Sequence, residues 1–258
     1  MQTTLILASA ICLALSFAVA PTSFANSLST ARSDGTRKKG YAITKSGLYP
    51  IYPTGYSCTR LTSLYASYRD VDGSRRKRPH SGVDGGRLGE AVLAPADGVV
   101  KAVWRANWGW GREGALLIRH SRKDLSLRTG PPFYYSAFYH LRYRDVRHFR
   151  SGQQVERGQK IGIVNRPGGR ARYLPEVHWE VYEVTNDHAI RWGVGRYATR
   201  YWTSRDARII DPLYLLSRNS APGFGNGVRL MPFDAAIDYV GFRGFTYILP
   251  CRRKSGSL

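Results

Sequence analysis

Two short stretches carry residue types at spacings that could hold a metal ion. In His80-Ser81-Gly82-Val83-Asp84 a histidine and an aspartate stand four positions apart with a glycine between them. In Glu176-Val177-His178-Trp179-Glu180 polar and apolar residues alternate. A catalytic zinc ion takes three protein ligands from His, Asp, Glu or Cys and keeps a fourth position for water. His80 and Asp84 can face one ion, and His178 would be the third ligand if the fold brings it to them. Zinc so held lowers the pKa of its water to about 7 and polarises a carbonyl, which is the chemistry of hydrolysis without a covalent enzyme intermediate. The spacing alone is weak evidence, because a His-x3-Asp pair is common by chance.

The elements that must position these residues read as strands. Side chains alternate across a strand, so Glu176, His178 and Glu180 would line one face and Val177, Trp179 and Val181 the other. Gly82 allows a tight bend between the first pair. Leu61 to Tyr68, Gly114 to His120 and Phe133 to Leu141 are further strand-like runs. Ala91 to Pro95 and Val99 to Trp104 flank Asp97-Gly98, the signal of a hairpin. Val155 to Val164 reads as a strand pair around a glycine turn, Asp211 to Leu216 as a short closing helix, and Gly244 to Leu249 as one strand within a Gly-rich tail. Short strands, regular turns and little helical periodicity predict an all-β fold: an antiparallel sheet folded on itself into a sandwich or barrel-like domain. The 27 glycines and 13 prolines, spread along the chain, agree with many turns.

The 258 residues, 43% of them apolar, suit one globular domain with flanking arms. The formal charge of +21 attracts polyanions, whether nucleic acid or an anionic cell-envelope polymer, and part of it is an ordinary solvated surface. The first 25 residues separate the two partners. Leu5 to Ala20 is an apolar and small-residue run, and Ser23-Phe24-Ala25 supplies a small-x-small cleavage site, which together predict a secretory signal peptide over 1–25. Retention of that run as a membrane anchor is the alternative. Export to the periplasm or outside the cell disfavours nucleic acid and leaves no transmembrane anchor after cleavage. The cysteines beyond residue 25 are Cys58 and Cys251, and an exported protein can bridge them. The expected organisation is a signal peptide over 1–25, a flexible arm over 26–59, a central domain over 60–217 and a C-terminal tail over 218–258.

Five motifs in one order resemble the lysostaphin-type (LytM-like) zinc metallo-endopeptidases that cut peptidoglycan. His80-Ser81-Gly82-Val83-Asp84 looks like that family's HxGxD, and Ala94-Pro95-Ala96-Asp97-Gly98-Val99-Val100 its A-x-A-D-G-x-V element. Tyr139-His140-Leu141 is similar to its Y-H-L element, and Gly152 to Gly162 to its G-x-x-V-x-x-G-x-x-I-G segment. Gly169-Arg170-Ala171 followed by His178-Trp179-Glu180 resembles the run into HxH-[FW]-E. The likeness spans residues 60 to 217. It implies a domain of the duplicated hybrid motif type, Zn²⁺ as cofactor with His80, Asp84 and His178 as ligands, and His140 as a catalytic histidine that binds or orients the water or the oxyanion. It implies an exported enzyme that hydrolyses peptide bonds of peptidoglycan stem or cross-bridge peptides through a metal-activated water.

One departure falls on the second stretch. Where the family has the first His of HxH, a catalytic non-ligand, this chain has Glu176. Glu176 admits three roles: a general base beside the water, a further ligand that fills the open position, or a loss of activity that leaves a cell-wall-binding or hydrolase-regulating module. Glu180 shares the His178 face and could support that ring or be a simple surface or strand-pairing residue. His120 ends a strand and could support the metal ligands from behind; His148 and His188 read as surface residues. The aromatic loop Trp108 to Trp110 and the basic run Arg75 to Arg78 are candidates for a substrate groove. No Gly-x-Ser-x-Gly, P-loop or GxGxxG motif is present, so serine hydrolase and nucleotide readings lack support.

Overall fold

A computed structural model describes residues 31–32, 43–106, 113–165, 174–194, 200–216 and 225–255. The expected signal peptide, the Trp108 to Trp110 loop and Gly169 to Ala171 lie outside them. Along the chain run β1 (Ala31–Arg32), β2 (Tyr49–Ile51), β3 (Tyr56–Cys58), β4 (Leu61–Ser63), β5 (Val83–Gly85), β6 (Ala91–Leu93), β7 (Gly98–Ala106), β8 (Glu113–Ser121), β9 (Phe133–Arg142), the one-turn helix α1 (Tyr143–Val146), β10 (Gln154–Val155), β11 (Lys160–Ile163), β12 (Val177–Val184), β13 (Arg191–Val194), β14 (Arg200–Ser204), β15 (Ala207–Ile210), the one-turn helix α2 (Leu213–Leu216), β16 (Gly227–Arg229) and β17 (Cys251–Arg253). The fold is all-β as expected, and its sheets are open rather than closed into a barrel.

The main sheet has the order β10-β7-β8-β9-β12-β5-β4, with β15 alongside the far end of β12, and every pairing in it is antiparallel. Its central strands are largely buried on both faces. On one face Trp179 stacks flat on its cross-strand partner Phe138, rings 6.1 Å apart, and Phe245 from the C-terminal stretch packs over Trp179. On the other, Trp202 of β14 closes over Tyr135 and Tyr182. Aromatic pairs at this spacing add to the stabilisation from their buried area.

Both apparent hairpins are corrected. β6 does not pair with β7, nor β10 with β11; instead β6 pairs with β11, and β7 with β10. The Asp97-Gly98 and Gly158 turns each carry the chain from one sheet into another. The turn at Asp97 is clamped from outside: His120 Nδ1 donates to the Asp97 carbonyl at 2.7 Å, and the Arg157 amide donates to Asp97 Oδ1 at 2.8 Å. A Cβ on Gly98 would lie 2.7 Å from the Arg119 carbonyl and 2.8 Å from His120 Nδ1, so glycine is required by close packing there.

The termini also differ from the expected arm and tail. β2 pairs in parallel with β16, and β3 pairs antiparallel with β17, where Cys58 and Cys251 face one another and form the disulfide. Gly244 to Leu249 is irregular rather than a strand, yet Phe245, Thr246, Tyr247, Ile248 and Leu249 are buried. Their backbones bond to scattered partners: the Phe245 amide donates to Leu215, the Thr246 amide to Pro95, the Tyr247 amide to Met231, and the Ile248 carbonyl accepts from the Leu93 amide. The short helix expected over Asp211 to Leu216 forms over Leu213–Leu216, with Asp211 Oδ1 accepting from the Leu213 amide. No helix among the described residues is long and apolar enough to cross a membrane.

Candidate metal centre

Strand register brings the two stretches together. β12 lies between β9 and β5, and His178 stands opposite Tyr139 on one side and Asp84 on the other. His80 arrives from the loop before β5, where its amide donates to the Ser67 carbonyl and its own carbonyl accepts from the Ala66 amide. Gly82 is needed for a different reason than a bend. A Cβ there would lie 2.2 Å from the Trp179 carbonyl, so only glycine lets this segment run against β12.

Three donor atoms converge. His178 Nδ1 lies 2.7 Å from Asp84 Oδ1, His80 Nε2 lies 3.0 Å from the same oxygen, and the two ring nitrogens are 3.0 Å apart. Among the described residues these three form the group able to hold a metal ion; Glu176 is not part of it. The outer ring nitrogens settle which atoms face inward. His80 Nδ1 donates to the Leu64 carbonyl at 3.0 Å, with Ser63 Oγ at 3.2 Å, and leaves Nε2 for the centre. His178 Nε2 lies 3.3 Å from Glu180 Oε1 and leaves Nδ1 for the centre. Such outer partners fix the tautomer and raise the basicity of a ligand histidine. Glu180 is fully buried and also accepts from the Tyr182 hydroxyl at 2.5 Å, so it supports His178 rather than serving as a surface residue.

The electrostatics favour a cation at this point. Burial would raise the Asp84 carboxyl, but the His80 and His178 rings outweigh it and hold it well below the usual carboxylate range. Burial would lower His178, but hydrogen bonds to Asp84 and Glu180 raise it to about 10. Two imidazole nitrogens facing each other beside a carboxylate need a positive charge between them, a proton or a metal. The donor set of two histidines and one carboxylate fits a catalytic zinc site.

Arg76 was indistinguishable in sequence from its neighbours. It turns inward while Arg75, Lys77 and Arg78 stay exposed. Its Nη2 donates to Asp84 Oδ2 and to Asp70 Oδ1, each at 2.9 Å, which leaves Asp84 Oδ1 to face the histidines. Glu176 sits just before β12, and its Oε2 is buried with no hydrogen-bond partner among the described residues. Burial, then the charge of Asp84, push its carboxyl up to about 9.

His140 stands at the rim, its ring 6.4 Å from that of His178. Its φ of +60° is left-handed, a conformation costing a β-carbon residue about 1 kcal/mol or more, and one that clusters at functional sites. His120 lies in the core instead, bonded to Asp97 and Ser136 and against Phe245, with no contact to the three converging residues. His148 and His188 are exposed, as expected.

The model of peptidase family M23 matches residues 78–191, a span holding all of His80, Asp84, His140, Glu176 and His178. No curated protein matches the chain. Among solved structures, a zinc-containing peptidase from Vibrio cholerae is 26% identical, over 50% of this chain and 34% of that one, with a TM-score of 0.34. The catalytic domain of lysostaphin from Staphylococcus simulans is 21% identical, over 48% of this chain and 79% of that one, with a TM-score of 0.33. The catalytic domain of the M23 protein EnpA from Enterococcus faecalis is 19% identical, over 54% of this chain and 88% of that one, with a TM-score of 0.33. Over residues 78–191, a little under half of its length, the chain is thus similar to peptidase family M23.

Proposed function

We propose that the protein is an exported zinc metallo-endopeptidase that hydrolyses peptide bonds in peptidoglycan stem or cross-bridge peptides. The observation that carries this reading is the convergence of His80 Nε2, Asp84 Oδ1 and His178 Nδ1 within an M23 domain. These three residues would hold the ion. Bound zinc supplies Lewis acidity at the scissile carbonyl and acidifies the attacking water. Glu180, Ser63 and the Leu64 carbonyl orient the two rings, and Arg76 orients Asp84. His140, partly exposed at the rim, is placed to move a proton to or from the reacting atoms or to donate to the oxyanion. Glu176, beside the ligands, is the second proton carrier in place of the family's histidine.

The exposed basic residues Arg75, Lys77 and Arg78 adjoin His80 and suit peptidoglycan or another anionic cell-envelope polymer rather than nucleic acid. The Cys58–Cys251 disulfide supports an oxidising compartment, and so the periplasm or the cell exterior.

Glu176 also favours a second reading, a catalytically degenerate member of the family that binds cell wall or regulates a hydrolase. The deciding experiment quantifies zinc in the mature protein, incubates it with purified peptidoglycan and maps new amino termini by mass spectrometry. New termini from zinc-loaded protein, absent after chelation, support the peptidase; stoichiometric zinc without cleavage removes it and leaves the binding module.

A further inference from the structure

His140 is placed by an irregularity in the sheet. Gly114 pairs with Leu141 and Leu116 with Phe138, so two residues of β8 span three of β9. The extra residue is a β-bulge at Tyr139-His140, where His140 takes φ +60°. Bulges of this kind re-aim a side chain. Tyr139 keeps its place opposite His178, and His140 is turned so that its Nδ1 meets Glu113 Oε2 at 2.7 Å.

Glu113 is fully buried, and its other oxygen has no hydrogen-bond partner among the described residues. Arg142 stands opposite it across the strands but pairs with Asp145 instead. A buried carboxylate with one bonded oxygen is a poor choice for stability, since an apolar side chain would fill the space without the desolvation cost. Its geometry fits a different task. A carboxylate accepting Nδ1–H holds the ring in the tautomer whose Nε2 carries the lone pair, and it stabilises the imidazolium that forms when that nitrogen takes a proton.

We propose that Glu113 is the positioning residue of His140: it fixes the Nδ1–H tautomer and presents Nε2 to the peptide substrate's reacting atoms. The pair supplies in this chain proton-transfer capacity beside a centre where the family's other histidine is Glu176. The inference rests on the metallopeptidase reading above for its catalytic consequence, though not for the tautomer.

The test compares full-length wild type with Glu113→Met and Glu113→Gln. ¹⁵N spectra of histidine-labelled protein read the His140 tautomer, zinc stoichiometry and thermal melting check the fold, and peptide hydrolysis gives kcat and KM. In wild type His140 carries its proton on Nδ1. Glu113→Met is expected to shift it to Nε2 and to lower kcat roughly a hundredfold, with KM and zinc content little changed. Glu113→Gln keeps an acceptor and is expected to recover the tautomer and to stay within about tenfold of wild type. An Nε2–H tautomer in wild type overturns the proposal, as does a Glu113→Met protein that changes tautomer yet keeps its kcat. Should wild type bind zinc and cleave nothing, the peptidase reading fails, while the His140 tautomer still decides the role of Glu113.

Discussion

Asp84 and His178 stand opposite one another in the β5–β12 register, with Asp84 Oδ1 2.7 Å from His178 Nδ1. Backbone pairing of two neighbouring strands sets this contact. His80 is the one member of the trio that comes from a loop.

Substitution should separate ligand from neighbour. His178→Ala is predicted to lose stoichiometric zinc, whereas Glu176→Ala keeps zinc and hydrolyses more slowly. Metal analysis beside a peptidase assay checks this; equal loss of zinc in both variants would make Glu176 a ligand and remove its role as a base.

Glu180 holds the outer nitrogen of His178. Glu180→Gln is expected to weaken zinc binding about 10–100-fold, the usual effect of removing such a partner. Competition with a zinc chelator of known affinity measures it, and unchanged affinity would return Glu180 to a purely structural role.

Gly82→Ala should be far more damaging than a glycine-to-alanine change in an open turn. Its methyl group would meet the Trp179 carbonyl at 2.2 Å, so β5 must separate from β12 and carry Asp84 away from His178. The expected outcome is loss of zinc together with a lowered melting temperature. Gly73→Ala offers a steric contrast: nothing lies within 4 Å of a Cβ there, so its cost is the backbone strain of φ +81° alone, about 1–2 kcal/mol.

His120 predicts acid sensitivity away from the metal centre. Burial lowers its pKa from 6.5 to about 4, so the unfolded chain binds the proton more readily than the folded one. Its contribution is therefore fully present above pH 6.5 and declines as pH falls toward 4, by about 3 kcal/mol in total. Urea denaturation at pH 7 and pH 4.5 should show this decline in wild type, and a smaller one in His120→Gln.

The Cys58–Cys251 bridge closes a loop across 193 positions. The chain-entropy model gives about 5 kcal/mol for a loop of that length. Reduction, or the double change to serine, should lower the denaturation midpoint and expose the β2–β16 and β3–β17 pairs to protease first, as read by peptide mapping.

The metal trio was legible in the sequence because its chemistry is local. His80-x3-Asp84 and the alternation through His178 are spacing signals, and a strand converts alternation directly into a shared face. The all-β class, the closing helix turn at Leu213 and the bridged cysteines were legible for similar reasons. Pairing was not. Asp97-Gly98 has the composition of a hairpin turn, but which strand lies beside β7 depends on packing against β8 and β10, residues far away in the chain. Gly244 to Leu249 has strand composition and is as buried as one, yet its backbone groups find partners scattered over segments around Leu93, Leu125, Leu215 and Met231, and no ladder forms.

By its sequence alone the chain determined which residues could hold zinc, the family they resemble and the departure at Glu176, since these depend on residue type and short spacing. Tertiary structure alone decided what surrounds them. Arg76 leaves a basic run to hold Asp84, and Glu113, a lone glutamate at a strand start, meets His140 across a bulge. Neither carries a local signal, because a contact between distant residues is set by sheet register and burial rather than by the residues on either side.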